Sequence, residues 1–198
     1  MTGDIMRSML RGSPVALSAA IGLTVLAGSL AGCRGSKHAR VTSFVAPPVP
    51  AGFLHQSGNG WRVAVPSTWK DAPQRDSSTW VVSDPQPVDD FQASANVLTE
   101  PFSGDSYEYA KASEAALRQD PKATVEEARE DVIDGDPTLV IESRWAPGSP
   151  SGVAYRTTQT AVASRGKGYV VTCAVAASAA ERYRSTCDSI VHSFAVER

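Results

Sequence analysis

The chain has little of what enzymes and nucleic-acid-binding proteins usually display. Among its 198 residues are only three histidines and three cysteines. His38, His55 and His192 stand far apart, in no HExxH or His-x-His spacing, so a zinc-type site lacks its ligands. There is no P-loop and no dinucleotide glycine fingerprint. Gly148-Ser149-Pro150-Ser151-Gly152 has the glycines of a nucleophile elbow, but Pro150 stands where the nucleophile would be, and a hairpin loop is expected instead. Lysine and arginine occur singly and the formal net charge is −2, so no clustered basic patch neutralises phosphates. No cofactor and no nucleic-acid partner are expected. Beyond the N-terminal segment no apolar run is long enough to span a bilayer.

What is present begins with an address. Arg7 and Arg11 make a positive start, Pro14 to Ala27 is almost free of polar side chains, and Leu30-Ala31-Gly32-Cys33 follows. This is the basic, apolar, small-residue order of a secretory signal, with an apolar run too short for a comfortable membrane span. Starting at Met6 instead of Met1 would drop Asp4, and either start leaves the same end. The box at Cys33 resembles the lipobox of bacterial lipoproteins. That resemblance implies cleavage before Cys33, a diacylglyceryl group with palmitate-type chains on its thiol, and a chain held on the extracytoplasmic face of an envelope membrane. Each buried CH₂ contributes about 0.8 kcal/mol, so two or three chains make such an anchor essentially permanent. Whether the inner or outer membrane is used stays open.

Residues 1–32 are therefore expected to be a signal peptide and 33–52 a tether. The tether is basic near the lipid (Arg34, Lys37, Arg40) and carries Pro47-Pro48-Val49-Pro50, which favours extended polyproline geometry. Its basic residues suit contact with anionic head groups. Residues 53–198 are expected to form one globular domain.

Within that domain strand signals dominate. Trp61, Val63 and Val65 alternate with Arg62 and Ala64 and end at Pro66, after an Asn59-Gly60 turn. Further strands are expected at Thr79–Ser83, Phe91–Thr99, Thr124–Ile133, Thr138–Trp145, Val153–Ala163 and Tyr169–Val175. Short turns, such as Asp134-Gly135-Asp136-Pro137 and Arg165-Gly166-Lys167-Gly168, imply mostly antiparallel pairing. Two helices interrupt the series. Ser106–Gln119 has a capping box in Asp105 and Glu108 and an apolar face of Tyr109, Ala112, Ala116 and Leu117. Ala179–Ser193 has a second box in Ser178 and Glu181, with Tyr183, Cys187, Ile190, Val191 and Phe194 in one stripe. That stripe needs a sheet to lie on.

The remaining cysteines can be placed geometrically. Cys173 shares a strand face with Tyr169, Val171 and Val175, and Cys187 lies on the apolar stripe of the helix that follows. Counted from the turn between them, Cys173 is about 10 Å away at strand rise and Cys187 about 12 Å at helix rise. Their sulfurs are expected to meet, and in an exported protein to be oxidised.

Gly60-Trp61-Arg62-Val63-Ala64-Val65-Pro66-Ser67-Thr68-Trp69, then Ala95-Asn96-Val97, the helix with Tyr109 and Leu117, Ile133-Asp134-Gly135-Asp136-Pro137, Gly168-Tyr169-Val170-Val171-Thr172-Cys173 and Ile190-Val191-His192-Ser193-Phe194 follow one another in an order that resembles the PsbP-like superfamily, and among its lipoproteins is most similar to the LpqN type. The resemblance implies an α+β fold, an antiparallel sheet of six or seven strands packed between helices, and a non-enzymatic role in binding or assembly. It carries no contact residue to a position here.

Three features stand out as candidate sites. Asp84-Pro85-Gln86-Pro87-Val88-Asp89-Asp90 clusters carboxylates, but its spacing matches no calcium loop and a solvated loop is expected. Glu126, Glu127, Glu130 and Asp131 read as the wet face of a strand. Trp145, in Trp145-Ala146-Pro147 at a strand end, is the candidate for presenting an aromatic side chain to a partner. The function expected is a membrane-anchored binding module for a protein or envelope component. A carrier of a small apolar ligand or lipid is the alternative, and an enzyme comes last.

Overall fold

A computed structural model describes residues 49–72, 79–147 and 152–197. The signal segment, Cys33, His38 and most of the tether lie outside those residues, as does Gly148–Ser151. Ten strands and two helices follow in the order β1 (Phe53–Gly58), β2 (Trp61–Pro66), β3 (Lys70–Asp71), β4 (Thr79–Ser83), β5 (Ser94–Pro101), α1 (Ser106–Gln119), β6 (Ala123–Ile133), β7 (Asp136–Trp145), β8 (Tyr155–Ser164), β9 (Lys167–Ala176), α2 (Ala180–His192) and β10 (Ala195–Val196). A 3-10 turn, Ala177–Ala179, leads into α2.

The strands form a seven-stranded antiparallel sheet in the order β3-β4-β5-β9-β8-β7-β6 and a three-stranded sheet, β1-β2-β10. Short hairpins dictate the antiparallel order. Asp134 and Gly135 (φ 53° and 80°) close the β6–β7 hairpin, and a two-residue turn of this kind demands positive φ at both positions.

β9 shows how the layers are built. Its odd positions Tyr169, Val171, Cys173 and Val175 are buried and face α2, whose buried stripe is Tyr183, Cys187, Ile190 and Val191. Its even positions face the other way, where Gly168 lies against the Tyr109 ring of α1. The large sheet therefore lies between the two helices, as the α+β reading expects. The small sheet joins the α2 side, with Trp61 against Trp80 at 5.2 Å between ring centroids.

Helix α1 starts where its cap predicts. The Asp105 carboxylate accepts from the Glu108 N–H at 2.8 Å, and the Glu108 carboxylate accepts from the Asp105 N–H at 3.3 Å. Its buried stripe is Ser106, Tyr109, Ala110, Ser113 and Leu117, so Ala112 and Ala116 lie at the flanks of the face instead of its centre. The second expected capping box does not form. Ser178 falls inside the 3-10 turn and donates its hydroxyl to Asp89, Glu181 pairs with Arg184, and Ala179 caps α2 without a side-chain bond. Strands β1, β3 and β10 were not expected. They add the second sheet and a two-residue edge to the first.

Candidate interaction surface

Cys173 and Cys187 form a disulfide, with their Cα atoms 5.3 Å apart. It ties the middle of α2 to the centre of the large sheet, and Cys187 also lines a surface cleft. That cleft, shallow and open to solvent, lies between the N-terminal half of α2 and strands β7 and β8, with Glu142, Arg156, Thr158 and Arg184 around it.

The cleft is one end of a longer charged trench. On α2, Glu181, Arg184, Asp188 and His192 recur every three or four residues and so share one flank. Facing them are Glu126, Arg129 and Asp131 of β6, Glu142 of β7 and Arg156 of β8. Arg156 Nη2 lies 3.1 Å from Glu126 Oε2, and Arg184 Nη2 lies 2.6 Å from Glu181 Oε1. At the far end Arg129 spans Asp131 (2.5 Å) and Asp188 (3.9 Å), while His192 Nε2 sits 3.1 Å from Asp131 and Nδ1 lies 2.7 Å from the Asp188 carbonyl oxygen. His192 is thus at the rim of its helix, as its position beside Val191 implies.

The electrostatics follow from these pairs. Hydrogen bonds from Arg184 hold the Glu181 carboxyl below its usual range, and Glu181 together with the nearby Glu142 holds Arg184 above its own. Partial burial pushes Asp131 up, but the Val132 N–H, His192 and Arg129 outweigh it, and the carboxyl ends below its ordinary value. Exposed pairs of this kind each contribute about 0–1 kcal/mol, so they can exchange partners at little cost. A surface with alternating charges gives an association specificity and orientation more than raw affinity.

The other sequence candidates are placed as follows. Trp145 is 5% exposed. Its indole stacks on Tyr155 at 5.5 Å with 7° between planes, Tyr155 stacks on Phe91, and the indole N–H donates to Thr157 Oγ1 at 3.4 Å. It is a core residue, because β7 and β8 pair Trp145 directly with Tyr155, and it offers a partner almost no area. The acidic loop is not merely solvated. Asp84 accepts from the Tyr183 hydroxyl at 2.8 Å and from the Gln86 N–H at 2.9 Å, and Asp89 accepts from Ser178, so the loop is tied to the start of α2. Of the β6 acids, Glu126 pairs with Arg156, Glu130 accepts from Tyr107 at 2.9 Å, and Asp131 pairs as described. His55 lies exposed on β1, away from the trench. Among the described residues no group of three or more His, Cys, Asp or Glu side chains is placed to hold a metal. The trench went unread in the sequence because its charges come from four elements. The only local signal was the recurrence of Glu181, Arg184, Asp188 and His192.

No protein-family model matches the sequence, and no curated protein matches it. Solved structures do. The solution structure of PsbP (CyanoP) from Synechocystis sp. PCC 6803 is similar at TM-score 0.50 and 19% identity, over 79% of this chain and 98% of that one. LpqN of Mycobacterium tuberculosis, described as involved in cell envelope biogenesis, is similar at TM-score 0.53 and 12% identity, over 74% of this chain and 90% of that one. At such identities the likeness speaks to fold alone, and the fold of this chain is PsbP-like, with LpqN among its structural neighbours.

Proposed function

We propose that the protein is a bacterial envelope lipoprotein, lipid-anchored through Cys33 on the extracytoplasmic side. In this reading its PsbP-like domain binds a protein or another envelope component without catalysing a reaction. The observation that carries the binding reading is the trench along α2. Its side chains are held in position yet paired at the surface, where a partner's charges can replace the internal ones. The Leu30-Ala31-Gly32-Cys33 box supports the anchor, and the envelope role stated for LpqN is in keeping with that setting. A carrier of an apolar ligand needs an enclosed apolar cavity. The cleft beside α2 is open and charged at its rim, which suits a polar partner better.

Two variants test the two halves of the proposal. Cys33→Ser should leave the membrane fraction or be mis-processed, and unchanged fractionation would refute the anchor. Arg156→Glu with Arg184→Glu reverses two trench charges at a modest cost in stability, since Arg156 is partly and Arg184 largely exposed and such pairs each contribute about 0–1 kcal/mol. In-cell cross-linking should then lose the adducts that the unaltered protein gives. Undiminished adducts would rule out the trench as the binding surface.

A further inference from the structure

Sheet edges invite added strands unless they are defended. β6, an edge of the large sheet, carries Glu126, Glu127, Arg129, Glu130 and Asp131 and a bulge between Val125 and Glu127. β3 and β10 are two residues long. β1 has none of these defences. It runs for six residues, Phe-Leu-His-Gln-Ser-Gly, with no charged side chain, pairs among the described residues with β2 alone, and leaves Leu54 53% exposed.

The hydrogen bonds show which groups β1 presents. Ala64 of β2 donates its N–H to Ser193 Oγ at 2.8 Å and so points away from β1. His55, opposite Ala64, is therefore not hydrogen-bonded to it. The Ser67 N–H bonds the Gly52 carbonyl oxygen at 2.8 Å, so the even positions of β1 face β2 and the odd ones face outward. The Phe53 N–H is already taken by the Pro50 carbonyl oxygen at 3.1 Å. Among the described residues, what the edge leaves unpaired is the N–H and C=O of His55 and of Ser57.

We infer that a second copy of this chain pairs with this edge, β1 against β1, antiparallel about a two-fold axis through Gln56. In that register His55 exchanges both backbone hydrogen bonds with the partner's Ser57, and Ser57 does the same with the partner's His55. Every free edge group is used, and Phe53 is not needed. Leu54 falls opposite the partner's Gly58. Gly58 lies tight against the buried Trp61 indole, where an added Cβ would come within 2.3 Å of the ring, so the position opposite Leu54 carries no side chain to obstruct it. The two small sheets become one. The pairing is independent of the trench and of the anchor.

The test uses the chain from residue 33 onward carrying Cys33→Ser, which leaves no free thiol besides the disulfide. Sedimentation should show a monomer–dimer equilibrium that His55→Pro abolishes, since proline removes an outward donor while the ladder to β2 runs through Leu54, Gln56 and Gly58. Gln56→Cys should oxidise to a covalent dimer, because the two Gln56 Cα atoms would lie about 4.5 Å apart in a non-hydrogen-bonded pair, within disulfide reach. Ser57→Cys should not, because its neighbour is the partner's His55. The inference is overturned by a monomer at all concentrations, including one whose His55 and Ser57 amides are protected by the chain's own upstream residues. A dimer indifferent to His55→Pro, or one linked by Ser57→Cys instead of Gln56→Cys, overturns it as well.

Discussion

Gly168→Ala should destabilise the domain, although alanine is ordinarily the better strand residue. Gly168 sits near the start of β9, between Glu100 of β5 and Ala163 of β8. A Cβ there would lie 2.5 Å from Cζ and 2.6 Å from Cε1 of Tyr109. The ring has no room to retreat. It is 1% exposed, it packs on Phe102 with centroids 4.5 Å apart, and its hydroxyl donates to Glu100 Oε1 at 2.7 Å. Burial and that carboxylate push the Tyr109 pKa far above the ordinary tyrosine value, so the hydroxyl stays a donor at any working pH. Replacing an interior glycine by alanine should gain about 0.5–1 kcal/mol, whereas overpacking of this kind costs about 1–3 kcal/mol. The net expectation is a loss of about 1–2 kcal/mol, with about 2–4 °C in Tm per kcal/mol for a domain of this size. Urea unfolding of Gly168→Ala, of Tyr109→Leu and of the double variant measures it. With the ring gone, Gly168→Ala should turn neutral or stabilising, a coupling of opposite sign to the single effect. An equal cost in both backgrounds, or a gain in the unaltered protein, would refute the reasoning.

Three further outcomes are expected. Replacing Cys173 and Cys187 together by alanine opens a loop between positions 14 apart and should lower stability by about 3 kcal/mol, as should reductant, and an unchanged urea midpoint would count against it. Asp131 has a folded-state pKa below its unfolded value, so its stabilisation is present above the unfolded pKa of about 3.9 and is lost as pH falls through the folded value. The deficit of Asp131→Asn should therefore stand at neutral pH and fade in acid, and because the side chain is partly exposed it should be under about 1 kcal/mol. Trp145→Ala removes a stacked, buried indole and should cost about 3–5 kcal/mol, whereas a folded protein of normal Tm with weakened partner capture would restore Trp145 to the surface role.

Where local pattern and burial coincide, the fold was legible. β2 and β7 to β9 are buried on at least one face and β4 and β6 are half-buried on one, so alternation or continuous apolarity marks them, and turns such as Asp134-Gly135 punctuate them. The cysteine pair was legible because β9 and α2 leave the same short turn, so both sulfurs travel comparable distances from it. β1 was not, because an edge strand buries little: Leu54, His55, Ser57 and Gly58 are exposed and no alternation survives. The small sheet was hidden for a related reason. β10 is two residues, Ala195 and Val196, held by Ser193 bonding Ala64 and by Asp134 accepting the Val196 N–H at 2.9 Å, contacts 129 and 62 residues apart in sequence. Trp145 fails on the same ground. Its neighbours in sequence, Ala146 and Pro147, read as a strand end that could project an aromatic side chain. Its neighbours in space are Tyr155 and Thr157, and only the β7–β8 register brings them there. The trench is the extreme case. Each of its ion pairs costs and contributes little, so no local propensity records it, and its charges meet only because α2 folds back along β9 while β6 to β8 extend beside that helix. Elements that bury apolar area leave a periodic trace in one stretch of chain, whereas surfaces assembled from paired charges leave theirs only in the register of strands.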